Sequence, residues 1–298
     1  MHTLGYLVRY LISLFALLIL AAIPQVFYYT GNPMLGQQQI AFEPKMIVIV
    51  VRGFLEGILS AESFYYISGS SKRFFPSDIV GYFNSSYFYV AGSGLIVILL
   101  SFVFGIWLWK ASGRYLNGIL SFLGMIPDFI FILILQLLVN GIYKSTGIKT
   151  VKVASLSTNE PAIFLPILTL VIIPFVYLVR TLNERTHEVI TEDYIVTAVA
   201  KGLSKIEIYL FHITTNVIPF LKADLHKVTS IMISNLFIVE YLYNTRGITT
   251  MLFQLQVKFG YQYNVVVLSL FTLVLLYIAV FLSFKLLIIL IERILKHA

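Results

Sequence analysis

The sequence predicts an all-α, polytopic membrane protein with six transmembrane helices, and both its composition and its long apolar segments support this. Of the 298 residues, 59% are hydrophobic and only 12% are charged, and the mean hydropathy is +0.90. Soluble domains are about 45–50% apolar and about 25% charged, so this chain has too few polar side chains to cover a globule in water. Its apolar surface therefore requires lipid or other apolar subunits around it.

Six segments are long and apolar enough to cross a bilayer, which requires about 20 mostly apolar residues. They lie at about residues 7–28, 88–109, 119–142, 161–181, 220–243 and 263–290. The second segment ends at three residues typical of a membrane boundary, Trp107, Trp109 and Lys110. Ionisable residues crowd the start of the fifth, namely Lys222, Asp224, His226 and Lys227. We therefore expect its lipid-buried part to begin near Val228.

The predicted spans divide the chain into three regions. Residues 1–29 form the first transmembrane helix, 30–87 an extracytoplasmic segment, and 88–298 a five-helix core with a cytoplasmic loop at about 182–218. An even number of spans puts both termini on one side, and Lys and Arg are slightly more frequent on that side. Because cytoplasmic loops carry the excess of Lys and Arg, both termini are predicted to be cytoplasmic. The net charge of +7 lies in short clusters between apolar runs, which indicates membrane flanks and not a nucleic-acid surface.

The cytoplasmic loop carries signals for two helices joined by a sharp corner. Residues 184–201 have glutamates four residues apart on one face and end in Lys201, which favours the negative end of a helix dipole. Gly202 follows, and glycine adopts the left-handed conformation without steric cost. The next residues match the S-x-x-E capping box, with Ser204 as N-cap and Glu207 three residues later. The loop is thus predicted to be a helix, a glycine corner and a second helix.

This helical pair exposes apolar side chains that require a covering surface. They are Tyr194, Leu203, Ile206, Tyr209 and Phe211. Two interpretations remain open from the residues alone: an amphipathic element that lies on the bilayer, or a docking site for a cytosolic partner.

The segment at residues 193–204, D-Y-I-V-T-A-V-A-K-G-L-S, resembles the EAA loop of binding-protein-dependent ABC permeases. It is most similar to the peptide/nickel branch, the oligopeptide and dipeptide permease B-like proteins, although Val196 stands where that branch often has Arg. The resemblance covers residues 90–298 well and 1–89 only in layout. Further positions that resemble the branch are Pro127 within 124–138, Leu165-Pro166, 177–180, His212 to Asn216, Pro219, 239–243 and Gly247.

The resemblance implies the type I ABC importer permease fold, with the EAA loop as the part that couples to an ATPase. The coupling residues would be Asp193, Tyr194, Thr197, Ala198, Lys201, Gly202, Leu203, Ser204 and Glu207. The chain has no G-x-x-x-x-G-K-[ST] phosphate loop, so it is predicted to be no enzyme and to bind no cofactor, with ATP and Mg in partner subunits. The implied partners are a second homologous permease, two ATP-binding cassette ATPases, an extracytoplasmic substrate-binding lipoprotein, a peptide substrate and the lipid bilayer, without nucleic acid.

Five polar residues within the predicted spans are candidates for the translocation pathway. They are Asp128, Gln136, Ser234, Asn235 and Glu240. An ionised group at membrane depth is costly and usually faces protein or water, so these side chains would contact a peptide backbone or its termini. The alternative is that they form hydrogen bonds between packed helices. The sequence predicts no metal site, because the H-E-x-x-H pattern that begins at His187 has Thr191 in place of its second histidine.

Three other functions remain as alternatives to a peptide importer in the bacterial cytoplasmic membrane. A permease of the same branch could import nickel or another metal chelate. An intramembrane enzyme would require a nucleophile with a base or a metal cluster at membrane depth, and the sequence offers neither set. A membrane assembly or sensor protein would use the cytoplasmic helical pair for a partner other than an ATPase.

Overall fold

The computed structural model describes residues 2–30, 39–107, 114–148, 151–157 and 160–297. The described residues are mostly helical, and the chain divides into two compact units. The first contains Met1–Phe83 and Gly247–Leu275, and the second contains Asn84–Arg246 and Leu276–Ala298. The predicted all-helical class is therefore correct for most of the chain, although two short hairpins add strand structure.

The first unit combines helices with two antiparallel hairpins. In chain order its elements are α1 (His2–Val26), β1 (Phe27–Thr30), β2 (Gln39–Phe42), α2 (Lys45–Leu59), β3 (Tyr65–Ser68), β4 (Ser71–Phe74) and, after the second unit's residues, α10 (Leu255–Phe259). The side-chain amide of Gln262 binds the backbone of the β3–β4 hairpin. It accepts from the Ile67 N–H at 2.7 Å and donates to the Ile67 carbonyl at 2.8 Å. This pair of bonds occupies backbone groups of an edge strand that would otherwise be free.

The described regular structure of the second unit is helical apart from one isolated β-bridge between Ser157 and Glu160. Its helices are α4 (Arg114–Met125), α5 (Asp128–Thr146), α6 (Phe164–Ile190), α7 (Asp193–Ala200), α8 (Lys205–Glu207) and α9 (Thr214–Tyr243). Two longer helices contribute residues to both units, namely α3 (Phe75–Phe102) and α11 (Tyr263–His297). A π-helical turn, Val103–Trp107, extends α3, and a second, Ile208–Ile213, joins α8 to α9.

The core of the second unit lies where α6 packs against α9. The buried residues of α9 recur every three or four positions, which gives the helix one continuous apolar face. They include Val217, Leu221, Leu225, Val228, Met232, Leu236 and Val239. Helix α6 buries Leu170, Leu178 and Leu182 completely. Burial of each such side chain contributes roughly 1.5–3 kcal/mol, so the buried faces of these two helices stabilise the unit substantially.

Four helices in the described part of the chain are long and apolar enough to cross a membrane. They are Phe75–Trp107, Asp128–Thr146, Phe164–Ile190 and Tyr263–Leu295. The first predicted span corresponds to α1, of which Ile12–Val26 is a shorter apolar helix. The fifth corresponds to α9, which is long enough but carries Lys222, Asp224 and Lys227 within it. Six spans therefore remain a prediction, and four are found.

The predicted boundaries of the second and third spans require correction. The second was predicted to begin near residue 88, but its helix begins at Phe75, whereas Trp109 and Lys110 lie outside the described residues. The third was predicted as one helix over 119–142, but α4 ends at Met125 and α5 begins at Asp128. Pro127 explains the break, because proline lacks an N–H and disfavours helical backbone in the residue before it.

The single helix predicted over residues 184–201 is also wrong, because the chain turns at Thr191 and Glu192. Glu192 has extended backbone, with φ −73° and ψ 145°. The Thr191 hydroxyl donates to the Glu188 carbonyl at 2.7 Å and so replaces a helical hydrogen bond at the end of α6. The first part of the predicted helix therefore belongs to α6, and the second part forms the separate helix α7.

Two glycines allow close helix contacts within the second unit. A Cβ at Gly94 would lie 1.9 Å from the Phe284 ring, and a Cβ at Gly105 would lie 2.6 Å from the Leu182 Cβ. Phe284 and Leu182 are both fully buried, so neither can move aside into open space. Both positions therefore require the absence of a side chain.

We expect Gly94→Ala to destabilise the protein by about 1–3 kcal/mol, because an added methyl group forces the buried Phe284 ring to shift. Gly92→Ala on the same helix is the matched control, since a Cβ there meets nothing within 4 Å. That control should be neutral or up to about 1 kcal/mol stabilising through helix propensity. The measurement is the thermal unfolding midpoint of both variants in detergent, and equal midpoints would contradict the close contact.

Candidate functional site

The corner at Gly202 is a complete Schellman motif, the arrangement that commonly ends a helix. The Leu203 N–H donates to the Ala198 carbonyl at 3.3 Å, and the Gly202 N–H donates to the Val199 carbonyl at 3.0 Å. These are the two bonds that define the motif, and they satisfy carbonyls that α7 leaves open at its end. Gly202 has φ +78°, the left-handed conformation that was predicted for it. A Cβ at this position would meet nothing within 4 Å, so the requirement for glycine is conformational and not steric.

The predicted capping box at the start of α8 is confirmed. The Glu207 N–H donates to the Ser204 hydroxyl at 3.3 Å, and the Ser204 N–H donates to the Glu207 carboxylate at 2.8 Å. Hydrogen bonds with Ser204 lower the pKa of Glu207 below its ordinary value of 4.5. The bond with the Ser204 N–H is the larger cause, and the bond with the Ser204 hydroxyl is the smaller one. Only one residue, Leu203, lies between the glycine and this box, so the corner is fixed on both sides by local bonds.

Residues 193–207 form a helical hairpin, which we call the hairpin from here on and which is distinct from the two β-hairpins of the first unit. Its two faces differ in exposure. The inner face buries Ile195, Ala198 and, directly after the hairpin, Ile208. The outer face consists of apolar side chains that remain exposed, with Val196 at 61%, Val199 at 59% and Ile206 at 69% exposure, and Leu203 beside them at 37%. An apolar face on a short, locally braced element is typical of a docking surface.

The remaining residues proposed for coupling lie along the first helix of the hairpin. Asp193 is its first residue, and the Thr197 hydroxyl donates to the Asp193 carbonyl at 2.9 Å. Partial burial and, to a smaller degree, the charge of Glu192 raise the pKa of Tyr194. Lys201 caps the end of the helix and is exposed. The structure thus brings all nine coupling candidates together on one hairpin.

The five pathway candidates lie in different environments. Asp128 begins α5, is half-buried, and borders a small cavity of about 10 Å³ beside Thr169. The Gln136 amide donates to the Leu242 carbonyl at 3.2 Å. Ser234 is exposed, and the side-chain nitrogen of Asn235 is buried without a hydrogen-bond partner among the described residues.

The fifth candidate, Glu240, is 1% exposed and lies within the helical packing of the second unit. Its carboxylate accepts a short hydrogen bond from the buried Ser86 hydroxyl. The neighbouring Tyr89 hydroxyl donates to the Ala162 carbonyl at 2.6 Å. This geometry is that of a hydrogen bond between packed helices, the alternative that the sequence left open.

The sequence did not predict a group of hydrogen bonds that joins the end of α9 to residues 155 and 156. The Ser155 N–H donates to the Tyr243 carbonyl at 2.9 Å, the Asn244 amide to the Ser155 carbonyl at 3.0 Å, and the Arg246 guanidinium to the Leu156 carbonyl at 3.2 Å. Asn244 and Arg246 have φ of +50° and +56°. Asn after a long helical pattern is a known end signal and could have predicted the turn, whereas no local signal points to Ser155.

We expect Ser204→Ala to cost about 1 kcal/mol of local helix stability, because it leaves the Glu207 N–H without its cap. Ser204→Asp should retain the cap.

The stability of the hairpin should also depend on pH through Glu207. Because the pKa of Glu207 is lowered on folding, the stabilisation by its carboxylate is fully present above about pH 4.5 and is lost as the pH falls through the lower folded-state value. Hydrogen–deuterium exchange of the hairpin amides, corrected for intrinsic rates, measures both effects. Equal protection in Ser204→Ala and wild type would contradict the bracing role of the box.

A comparison with protein families finds one matching model, described as binding-protein-dependent transport system inner membrane component, over residues 101–297. The comparison with curated proteins finds no match. The matched region contains the hairpin, α4 to α10 and the whole of α11. The family consists of membrane permeases of ABC importers, which are transporter subunits and not enzymes, and which work with ATPase and substrate-binding partners. This chain, a multi-pass membrane protein, therefore belongs to the family of binding-protein-dependent transport system inner membrane components.

Proposed function

We propose that the chain is one of two homologous permease subunits of a peptide importer, and that its hairpin couples the pathway to an ATPase. The observation that carries this proposal is the exposed apolar outer face of the hairpin, Val196, Val199, Leu203 and Ile206. In this assembly the chain spans the bacterial cytoplasmic membrane six times with both termini in the cytoplasm. The hairpin, as the EAA loop, lies on the cytoplasmic side.

The outer face suits insertion into a cleft of a partner protein. Its apolar side chains gain roughly 25 cal/mol for each Å² removed from water, and the local bonds around Gly202 and Ser204 keep the face preorganised. Preorganisation lowers the entropy that binding costs. ATP and Mg would bind in two separate ATPase subunits, and closure of those subunits on ATP would displace the hairpin.

The helices that flank the hairpin support its role as a lever. Two residues separate the end of α6 from the hairpin, and α9 follows the hairpin through the π-helical turn Ile208–Ile213. These two helices pack along their buried faces, so a displacement of the hairpin moves them together. On this proposal, the movement opens the pathway alternately to the two sides of the membrane.

The exposed face of α9 supports its position beside a hydrated pathway. Ser230 and Ser234 are exposed and lie four residues apart on this face. They follow His226, which is also exposed and whose ring is hydrogen-bonded to the Tyr277 hydroxyl at 2.9 Å. A polar stripe opposite the buried face is unfavourable against lipid and favourable against water or a second permease. We therefore assign the pathway to this face of α9, with Ser234 in it, and with Asp128, Gln136 and Asn235 as further candidates.

Peptides are the proposed substrates because the loop at residues 193–204 is most similar to the peptide/nickel branch. Oligopeptides and dipeptides are imported by that branch, and nickel or another metal chelate is the alternative. An extracytoplasmic binding protein would deliver the substrate in either case. A membrane assembly or sensor protein, the alternative of another class, requires no ATPase partner.

We expect Val199→Glu to prevent co-purification of the ATPase subunits, because it buries a charge in the docking contact. Val257→Glu is the matched control, since Val257 is a still more exposed valine on α10 in the first unit. Both variants are co-expressed with candidate genes for the ATPase subunits and the second permease, and the bound subunits are counted after affinity purification. Full recovery of the ATPase with Val199→Glu would contradict the docking face, and a wild-type chain that recovers no ATPase would favour the assembly or sensor alternative.

We expect Gly202→Val to leave the assembled complex intact but to uncouple ATP hydrolysis from transport. A non-glycine residue in the left-handed conformation costs about 1–2 kcal/mol, and valine is strained further by its branched Cβ. Uptake of a labelled dipeptide and of nickel is compared with ATP hydrolysis in vesicles that contain the full complex. Normal uptake by Gly202→Val would reject the lever, and wild-type uptake of nickel without the peptide would assign the alternative substrate.

A further inference from the structure

A groove of about 150 Å³ lies in the second unit between the second half of the hairpin and the end of α3. Its walls are Trp107, Lys205, Ile206, Tyr209 and Leu210. Four of these five side chains present apolar or aromatic surface, and Lys205 supplies a single positive charge. The groove is therefore amphipathic, with a cation beside an apolar wall.

The position of Trp107 places this groove at the boundary between membrane and water. Trp107 is the last residue that the structure describes in the apolar helix Phe75–Trp107, which is long enough to cross the bilayer. Trp109 and Lys110, residues typical of a membrane boundary, follow it in the sequence. Tryptophan at the end of a span lies at the level of the lipid headgroups. Its side chain is 46% exposed, and its indole N–H has no hydrogen-bond partner among the described residues. A polar group at headgroup level can satisfy this donor.

Lys205 is exposed, and within the described part of the chain it forms no ion pair. The nearest acidic residue in sequence, Glu207, is engaged by the N–H and hydroxyl of Ser204. The ammonium group of Lys205 is thus available to an external anion. Basic residues next to span ends attract anionic lipid headgroups, at about 1 kcal/mol for each Lys or Arg near the surface.

We propose that this groove binds one anionic phospholipid. The phosphate is held by the Lys205 ammonium and the Trp107 indole N–H, and an acyl chain lies against Tyr209 and Leu210. A peptide segment of an ATPase fits the groove less well, because it would need to enter at headgroup level, where Trp107 lies. The bound lipid would tie the hairpin to the end of α3, so that membrane composition influences coupling.

This proposal requires only the membrane permease assignment, and it is independent of the proposed ATPase docking. It can be tested on the full chain alone in nanodiscs of phosphatidylglycerol or of phosphatidylcholine. The chain has two tryptophans, so Trp109→Phe leaves Trp107 as the sole reporter. Brominated phosphatidylglycerol should quench Trp107 fluorescence more strongly than brominated phosphatidylcholine at the same mole fraction, and equal quenching by the two lipids would overturn the proposal.

The second measurement is retention of phosphatidylglycerol by native mass spectrometry. Lys205→Ala should lower the apparent affinity about fivefold, the equivalent of roughly 1 kcal/mol, whereas Lys205→Arg should retain it. Lys144→Ala, at an exposed lysine near the end of α5, is the matched control and should retain the wild-type affinity. Unchanged retention in Lys205→Ala would overturn the proposal. Loss of ATPase co-purification in Lys205→Ala with unchanged lipid retention would assign the groove to a protein partner and overturn it as well.

Discussion

The packing of α6 against α9 is the contact on which the rest of the described structure depends. It is the most extensive helix–helix contact in the described part of the chain, and it buries the apolar face of both helices. The hairpin is the segment that joins these two helices, so their packing fixes both of its ends. Because protein interiors are close-packed, the two helices respond to a displacement of the hairpin as one body and not as separate rods.

Two pairs of polar groups at or beside this packing are hydrogen-bonded to each other. The Thr169 hydroxyl and the Tyr243 hydroxyl lie 3.0 Å apart, and Ser86 donates to the Glu240 carboxylate. Unsatisfied polar groups in a medium of low dielectric cost far more than in water, so these pairs fix the register of α9 against its neighbours. The buried face of α9 thus serves structure, and its exposed polar face is left for the pathway that we propose.

Local signals in the sequence predicted local structure well. The capping box at Ser204 and the left-handed Gly202 follow from residue types within a few positions of each other, and no distant contact is needed to specify them. Pro127 carried a signal for the break between α4 and α5, but the apolar pattern on both sides of it outweighed that signal in the prediction. The turn at Thr191 and Glu192 was missed because regularly spaced glutamates favour a continuous helix, and the hydroxyl bond of Thr191 that ends α6 is not visible in the pattern.

Contacts between distant segments could not be predicted in the same way. The requirement for glycine at position 94 arises from the Phe284 ring, which is far away in sequence, and it leaves the periodicity of the helix unchanged. The same distinction applies to the candidate site. The hairpin could be predicted because it is built from local bonds, whereas the placement of the pathway residues on buried or exposed faces could not, because it depends on tertiary packing.

The two connections of the hairpin differ, and this difference decides where a displacement goes. On one side α7 is joined to α6 by the turn at Thr191 and Glu192, whose extended backbone interrupts the helical hydrogen bonds. On the other side the helix is continuous from Lys205 to Tyr243, since the π-helical turn leads directly into α9, and the Thr214 hydroxyl donates to the Tyr209 carbonyl at 2.6 Å within it. A continuous helix transmits an axial displacement, while a turn absorbs part of it. On the proposed mechanism α9 is therefore the connection through which the ATPase-driven movement enters the α6–α9 pair, and it is also the helix that carries the exposed polar stripe.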